Sequence, residues 1–295
     1  MLLLVGSLLL FPPLFVLGPL AGLLAASRPR SLREWWWIGA AVLWIVLTAL
    51  HPGNLSDQVR YAWALCVTGM FVLLMLGRNL SLVTGSLLAT GLTGLLLTFW
   101  LKQLHLDWST VELAIRHDVT ASWRAYQAAA GGEDLSNSTE VSAGVQQMID
   151  GLSRVTPAIL ALMVLPGLAV AWSWYRRLAG TPIGAPSQRF AEFRFSDLLI
   201  WGVVLGGVAL TFPPPEPFDR IAENLAMVMA VLYTARGAAV MWSRVERWPG
   251  PLLALLALAS MFVLPVLLGA AFALGVADTW VDFRRPRALI DQTRE

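Results

Sequence analysis

The sequence predicts an all-α fold: a polytopic integral membrane bundle of about 8 spans that forms a single membrane domain over residues 1–295. Hydrophobic residues make up 57% of the chain and charged residues 14%, whereas an ordinary soluble domain is about 25% charged. Four stretches contain no Asp, Glu, Lys, Arg or His, and each is about 20 residues or longer, enough to cross a bilayer core as a helix. They are residues 1–27, 80–101, 155–175 and 251–277. Shorter, mostly apolar blocks lie between them at residues 35–50, 61–77, 198–212 and 221–242.

The first apolar stretch differs from a secretory signal peptide. No positively charged segment precedes it, and residues 1–27 run past the apolar core of a signal peptide, which has about 7 to 15 residues. We therefore expect a membrane span there. Pro12 and Pro13 predict a kink that neighbouring helices must accommodate.

The arginines predict the orientation, because cytoplasmic loops of membrane proteins carry an excess of Lys and Arg. The chain has 20 Arg and a single Lys. Four of these arginines lie in the loop 175–196, and others follow the blocks 1–27 and 221–242. We expect these loops in the cytoplasm, and the N-terminus and the insert 102–154 on the extracytoplasmic side. High Arg, Ala, Leu and Gly content is typical of a GC-rich bacterial genome, so we expect a multi-pass protein of the bacterial inner membrane.

The polar C-terminal tail, residues 278–295, conflicts with a simple count of eight spans. Such a count would put the arginines of the tail outside, against the positive-inside rule. Three arrangements are open. In the first, the run 251–277 is a broken or re-entrant hairpin divided at Pro265, which returns the tail to the cytoplasm. In the second, the stretch 1–27 is a hairpin broken at Pro12 and Pro13. In the third, the tail lies outside. We favour the first.

Single-cysteine labelling in a Cys66→Ser background tests this orientation. We expect a membrane-impermeant maleimide to label Ser122→Cys in intact spheroplasts, because residue 122 lies in the extracytoplasmic insert. Thr181→Cys, in the arginine-rich loop, should react only after permeabilisation. Labelling of both cysteines from the same side would contradict the map.

The insert 102–154 is the one sizeable polar segment between spans. Ser109 with Glu112 three positions later has the spacing of a helix capping box, and apolar residues then recur at helical intervals as far as a Gly-Gly pair. A second amphipathic helix starts near Asn137. We expect an extracytoplasmic hairpin of two amphipathic helices that covers the outer mouth of the bundle; the alternative is an interfacial device that docks a partner.

Motifs for catalysis and cofactor binding are absent from the sequence. The single Lys, Lys102, does not follow a Gly-rich loop, so the chain has no P-loop with which to hydrolyse ATP. Neither a GxSxG elbow nor a Cys and His pair at a plausible site occurs. The His, Asp and Glu residues between positions 105 and 118 lack metal-site spacing. We expect no enzyme, no cofactor and no metal, and the scattered arginines predict no nucleic-acid partner.

Polar residues inside the apolar spans are more informative, because such groups are costly in lipid and usually face a cavity or a partner. Glu223 and Asn224 lie near the start of an apolar block, and Arg236 lies three turns further on. At about 100° per residue, Asn224 and Arg236 lie within about 120° of each other and could border one cavity. Asp278 follows the last apolar stretch. We select these four as candidate ligand-binding residues; the alternative is that Glu223 and Arg236 reach opposite membrane interfaces.

Several of these residues belong to a pattern that resembles a known family. It comprises Phe193-Arg194-Phe195 before a span, then Asn224, Tyr233 and Gly237, and at the end Gly275, Asp278, Trp280, Asp282, Phe283 and Arg284. In this C-terminal third the chain resembles the YybS-like family of predicted bacterial membrane proteins, a domain of unknown function. That family is grouped with the substrate-binding membrane subunits of energy-coupling-factor transporters. The chain differs at Arg236, where we expect a neutral polar residue, and it starts at what resembles the family's second span.

The resemblance implies a helical bundle that binds a small molecule and borrows ATPases from partner subunits. We therefore expect a transporter-like substrate-binding subunit without an ATPase of its own, in contact with the lipid bilayer, with other membrane subunits and with ATPase subunits. The alternative is a non-transporting scaffold or assembly factor for a partner membrane complex. If Arg236 lines a cavity with Asn224, Arg236→Leu should leave the stability of the bundle intact, because an apolar residue replaces a costly polar one. Unfolding of Arg236→Leu, with Arg236→Lys tolerated, would instead indicate an anchor or a member of a structural ion pair.

Overall fold

The computed structural model describes residues 13–49, 54–77, 80–106, 108–129, 139–184, 186, 189–216, 218–246 and 248–283. Over these ranges the regular structure is α-helical, with two 3-10 turns, as the sequence predicted. The chain divides into two compact units, Met1–Ser187 and Gln188–Glu295.

In its described part, the first unit contains seven helices. They are α1 (Pro13–Ala26), α2 (Leu32–Ala49), α3 (Leu55–Gly77), α4 (Leu82–Gln103), α5 (Trp108–Ala129), α6 (Thr139–Arg154) and α7 (Thr156–Leu178). Helix α1 is apolar all round and is buried along most of its length, because it packs against α2, α3 and α7. The approach is close at Gly167 of α7, where an added Cβ would lie 2.9 Å from the backbone oxygen of Phe15.

A buried carboxylate joins the start of α2 to the segment after α7. Ser31 and Glu34 form a capping box: Glu34 N donates to Ser31 Oγ (3.3 Å), and Glu34 Oε2 accepts from Ser31 N (2.9 Å). Glu34 also accepts from the backbone N–H groups of Arg30 and Gly180, each at 2.7 Å. These bonds, with Ser31 and Gly180 as the leading contributors, lower the pKa of Glu34 from its ordinary 4.5 to about 2, and they outweigh the opposing effect of burial. Glu34 precedes the apolar block 35–50.

This carboxylate predicts an acid-sensitive contribution to stability. Since its pKa is lower in the folded state, Glu34 stabilises the fold fully above about pH 4.5, and this contribution is lost as the pH falls toward about 2. We expect Glu34→Gln to lower the thermal midpoint in detergent at pH 7, and the difference from wild type to shrink between pH 5 and pH 3. Glu246→Gln, at a half-exposed carboxylate 4.0 Å from Arg189, is the control. A difference that does not change with pH would contradict the assignment.

Helices α5 and α6 form the predicted amphipathic pair. They pack against each other, and α5 also packs on α3. Val111 of α5 and Ile149 of α6 are buried. Asp118 ties α5 to the start of α3, where it accepts hydrogen bonds from Ser56 Oγ and from Asn54 Nδ2, the latter at 3.0 Å. The expected start at Asn137 lies outside the described residues, and the side of the membrane on which the pair lies stays a prediction.

The second unit is organised around one long helix. Its elements are two 3-10 turns (Phe190–Glu192 and Asp197–Leu199), α8 (Ile200–Thr211), α9 (Phe218–Val245), α10 (Gly250–Phe262) and α11 (Leu264–Ala277). Helix α9 packs against α8 on one side and most extensively against α11. Gly206 of α8 lies against Ala226 of α9, with 3.0 Å between an added Cβ and the backbone Cα. Small residues therefore allow both contacts of α9 to be close.

Four of the described helices are long and apolar enough to cross a membrane, namely α3, α4, α7 and α9. Helices α10 and α11 make a fifth if the pair counts as one span; they meet at a bend of 106°. The break falls where the sequence predicted it, because α11 begins with Pro265 in its first turn. Helices α1 and α8 are shorter, with 14 and 12 residues, and Pro12 lies outside the described residues. The count of about eight spans therefore stays a prediction.

Candidate functional site

The second unit contains a buried arginine inside its central helix. Arg236 of α9 has a side chain that is only 3% exposed. Its Nε donates to Asp278 Oδ2 and its Nη2 to the backbone oxygen of Asp278, both at 2.9 Å. Its Nη1 donates to Asp197 Oδ1 at 2.8 Å. One guanidinium therefore joins three elements: α9, the residue that follows α11, and the 3-10 turn before α8.

Two glycines position Asp278 beside Arg236. A Cβ added to Gly237 of α9 would lie 1.7 Å from the backbone oxygen of Ala271, and one added to Gly275 of α11 would lie 1.8 Å from the backbone oxygen of Tyr233. The two helices are thus in direct backbone contact, which only glycine permits at these positions. Asp278 comes one turn after Gly275, so the crossing brings its carboxylate to the guanidinium.

Aromatic side chains cover the cluster. The ring centroid of Phe195 lies 5.4 Å from the Arg236 guanidinium carbon, within the range of a cation–π contact. The same ring packs edge-on against Tyr233, with centroids 5.1 Å apart and an interplanar angle of 87°. Tyr233 is fully buried and Phe195 is nearly so. These rings keep water away from the guanidinium and strengthen its ionic contacts.

The two carboxylates differ sharply in exposure. The Asp278 side chain is 0% exposed, whereas that of Asp197 is 64% exposed. Asp278 is therefore a buried counter-ion whose removal would leave a charge without compensation in the interior. Asp197 contacts Arg236 with one oxygen while most of its surface faces outward.

Further ion pairs hold the segment that carries Asp197 and the segment that follows α11. Arg194 pairs with Asp282, and Arg244 Nη2 donates to the backbone oxygen of Phe283 at 2.7 Å. These contacts are more exposed than that of Arg236 with Asp278. They fix the ends of the second unit around the cluster, and each contributes little on its own.

The structure brings together only part of the predicted site. Arg236 and Asp278 are in direct contact. Glu223 and Asn224 lie near the start of α9, and at 1.5 Å per residue Asn224 is roughly 18 Å from Arg236 along the helix axis. The side chain of Asn224 donates to the backbone oxygen of Arg220 at 2.8 Å, one turn earlier in the same helix. A role for Glu223 and Asn224 in binding stays a prediction.

Sequence reasoning missed Asp197. The residue stands immediately before an apolar block, and a carboxylate at such a boundary was a signal that it could pair with an arginine within the membrane. Many of the residues that carry the family resemblance also gather around this cluster, although they are far apart in sequence. They are Arg194, Phe195, Tyr233, Gly237, Gly275, Asp278 and Asp282.

The histidines and carboxylates of the insert do not form a metal centre in the part of the chain that the structure describes. No group of three or more His, Cys, Asp or Glu side chains there is arranged to hold a metal ion. Glu112 lies 3.7 Å from Arg116, and Arg116 lies 3.3 Å from Asp150 of α6. Asp107 lies outside the described residues. These charges tie α5 to α6.

Chemically, the guanidinium of the Arg236 cluster is suited to pair with anionic groups. A guanidinium presents a planar set of N–H donors that matches carboxylate and phosphate groups. Its neighbours are the carboxylates of Asp278 and Asp197 and the ring of Phe195.

Comparison with known proteins gives one family-level result. A family model described as "Predicted membrane protein (DUF2232)" matches residues 1–279, which include most of both units. No significant match was found among curated proteins or among solved structures.

Proposed function

This chain belongs to the DUF2232 family of predicted membrane proteins, and from that premise we propose that it is a transporter-like, substrate-binding membrane subunit for a small molecule. The observation that carries the proposal is Arg236, an arginine buried in a long apolar helix and held by two carboxylates from other elements. Ionisable groups inside membrane helices are costly and usually serve a binding or conduction pathway. We expect no enzymatic activity.

The topology that we propose is multi-pass insertion in the bacterial inner membrane. Its membrane-embedded segments, about eight in number, are the four long apolar helices, the shorter helices α1 and α8, the apolar block of α2 and the bent α10–α11 pair. We propose that this pair is a re-entrant hairpin that returns the tail to the cytoplasm. The arginine-rich loop 175–196 faces the cytoplasm, and the hairpin of α5 and α6 faces the other side. Asp197 follows this loop closely, so the Arg236 cluster would face the cytoplasmic half of the bilayer.

Partner subunits must supply the energy in this proposal. The sequence has no P-loop, and its one Lys lies at position 102, at the end of α4. A transporter-like subunit of this kind would associate with separate ATPase subunits and with other membrane subunits. The lipid bilayer covers the many exposed apolar side chains of the long helices.

A scaffold or assembly factor is the second candidate, and the α5–α6 hairpin favours it. Leu113, Tyr126 and Met148 are large side chains on these polar helices, and they are 62%, 64% and 66% exposed. Apolar groups displayed on an amphipathic hairpin suit contact with another protein. In that case the chain would hold a partner complex together without moving a solute.

Purification of the tagged full-length protein from native membranes separates the two candidates. We expect native mass spectrometry to detect ATPase subunits and a small molecule in a fixed ratio to the chain. Replacing Leu113, Tyr126 and Met148 by Ser in the tagged protein should not change the recovery of ATPase subunits and small molecule if transport is the function. Recovery of other membrane proteins alone, abolished by the same replacements, would favour the scaffold and overturn the transporter proposal.

A further inference from the structure

We propose that Arg236 binds an oxyanion group, carboxylate or phosphate, of a small molecule, and that Asp197 is an internal counter-ion which this group displaces. The inference rests on the proposed substrate-binding function and names the chemical class of its ligand. It assigns different tasks to the two carboxylates: Asp278 holds the arginine, and Asp197 closes the site when no ligand is bound.

The asymmetry between the two carboxylates supports this division. Asp278 contacts Arg236 through both its side chain and its backbone oxygen, and its side chain is 0% exposed. Withdrawal of Asp278 would require α11 to separate from α9 at the glycine crossing. Asp197 contacts Arg236 through one oxygen and is 64% exposed. Because Asp197 is largely exposed, water hydrates it when it leaves the guanidinium, and Arg236 keeps Asp278 as its counter-ion.

Charge and geometry favour an oxyanion as the replacement. The cluster has one positive and two negative groups, and exchanging the Asp197 carboxylate for an external carboxylate leaves this balance unchanged. The guanidinium fork donates two parallel hydrogen bonds to the paired oxygens of a carboxylate or phosphate. Since the Arg236 side chain is only 3% exposed, a ligand reaches it only by displacing a group that now covers it.

The segment that covers the Arg236 guanidinium, residues 195–197, is short and lies outside the long helices. Phe195, which lies over the guanidinium, and Asp197 are two residues apart, and Asp197 begins a 3-10 turn of three residues. Movement of this segment would uncover the donors of Arg236 without breaking a long helix. Displacement of this segment therefore opens the site, and the oxyanion of the ligand takes the place of the Asp197 carboxylate.

The test compares Asp197→Asn with wild type in full-length protein purified in detergent. Acetate and inorganic phosphate are titrated at constant ionic strength, with neutral acetamide as the reference, and the rise of the thermal midpoint reports binding. Removing the competing charge should tighten the apparent affinity for one of the two anions by about fivefold, the size of the effect of one exposed ion pair. Glu216→Gln is the matched control, because Glu216 is also 64% exposed and lies 3.2 Å from Arg220. The affinity of Glu216→Gln for acetate and for phosphate should equal that of wild type.

Asp197→Ala is the second variant, since the Asn side chain retains an oxygen that can accept from Arg236. Tighter binding of acetate assigns a carboxylate ligand, and tighter binding of phosphate assigns a phosphate ligand. Unchanged affinities in both folded variants would overturn the inference. Equal tightening in Glu216→Gln would also overturn it, because the effect would then reflect only net charge. These results do not depend on which subunits co-purify, so failure here and failure of the proposed function are distinguishable.

Discussion

Gly237→Ala should be strongly destabilising, because its Cβ would lie 1.7 Å from the backbone oxygen of Ala271 and 2.6 Å from its carbonyl carbon. Neither atom can move without shifting α11 away from α9. Overpacking of this kind typically costs about 1–3 kcal/mol, and we expect at least about 3 kcal/mol because the clash is with backbone. The measurement is the free energy of unfolding in mixed micelles.

Gly269→Ala is the matched control for this prediction. It makes the same substitution in the partner helix α11, and its Cβ would have no neighbour within 4 Å. We expect it to be neutral or to stabilise the protein by up to about 1 kcal/mol, since Ala favours helix over Gly. Gly275→Ala should resemble Gly237→Ala, and the double variant should cost less than the sum because one separation relieves both clashes. Equal stabilities of Gly237→Ala and Gly269→Ala would mean that the helices do not cross at these glycines.

Arg236→Leu should destabilise the second unit by about 3–5 kcal/mol, because it leaves the carboxylate of Asp278 buried without its guanidinium. This reverses the expectation drawn from sequence alone, in which the substitution was tolerated. That expectation considered the cost of the arginine in lipid and could not include a partner 42 residues away. The measurement is again the free energy of unfolding in mixed micelles.

The double variant Arg236→Leu with Asp278→Leu decides whether the lost stability comes from the stranded charge. An apolar pair of similar volume should recover most of it. Arg194→Leu is the control: its pair with Asp282 is 45% exposed on the arginine side, so its loss should cost within about 1 kcal/mol. A double variant no more stable than Arg236→Leu alone would contradict the buried-pair account.

The candidate site was predictable only in part. Arg236 stood out as a charge within an apolar stretch, and Gly237 beside it indicated a close helix approach. Periodicity placed Asn224 and Arg236 on related faces of one helix, but at 1.5 Å per residue two positions 12 apart are separated by roughly 18 Å along the helix axis. Asp197 was not selected, because its role depends on a contact with Arg236, 39 positions later in the sequence.

Features that depend on local composition and periodicity can be predicted from the sequence alone. Long uncharged stretches must form helices in lipid, since the bilayer core offers no other partner for backbone N–H and C=O groups. The all-α class, the amphipathic pair α5 and α6, and the break at Pro265 follow from such local rules. Which side chains come into contact depends on how the helices pack. The pairing of Arg236 with Asp278 and Asp197 depends on the backbone contact at Gly237 and Gly275. A contact of this kind is set by how α9 and α11 cross, and no periodicity within one helix encodes it.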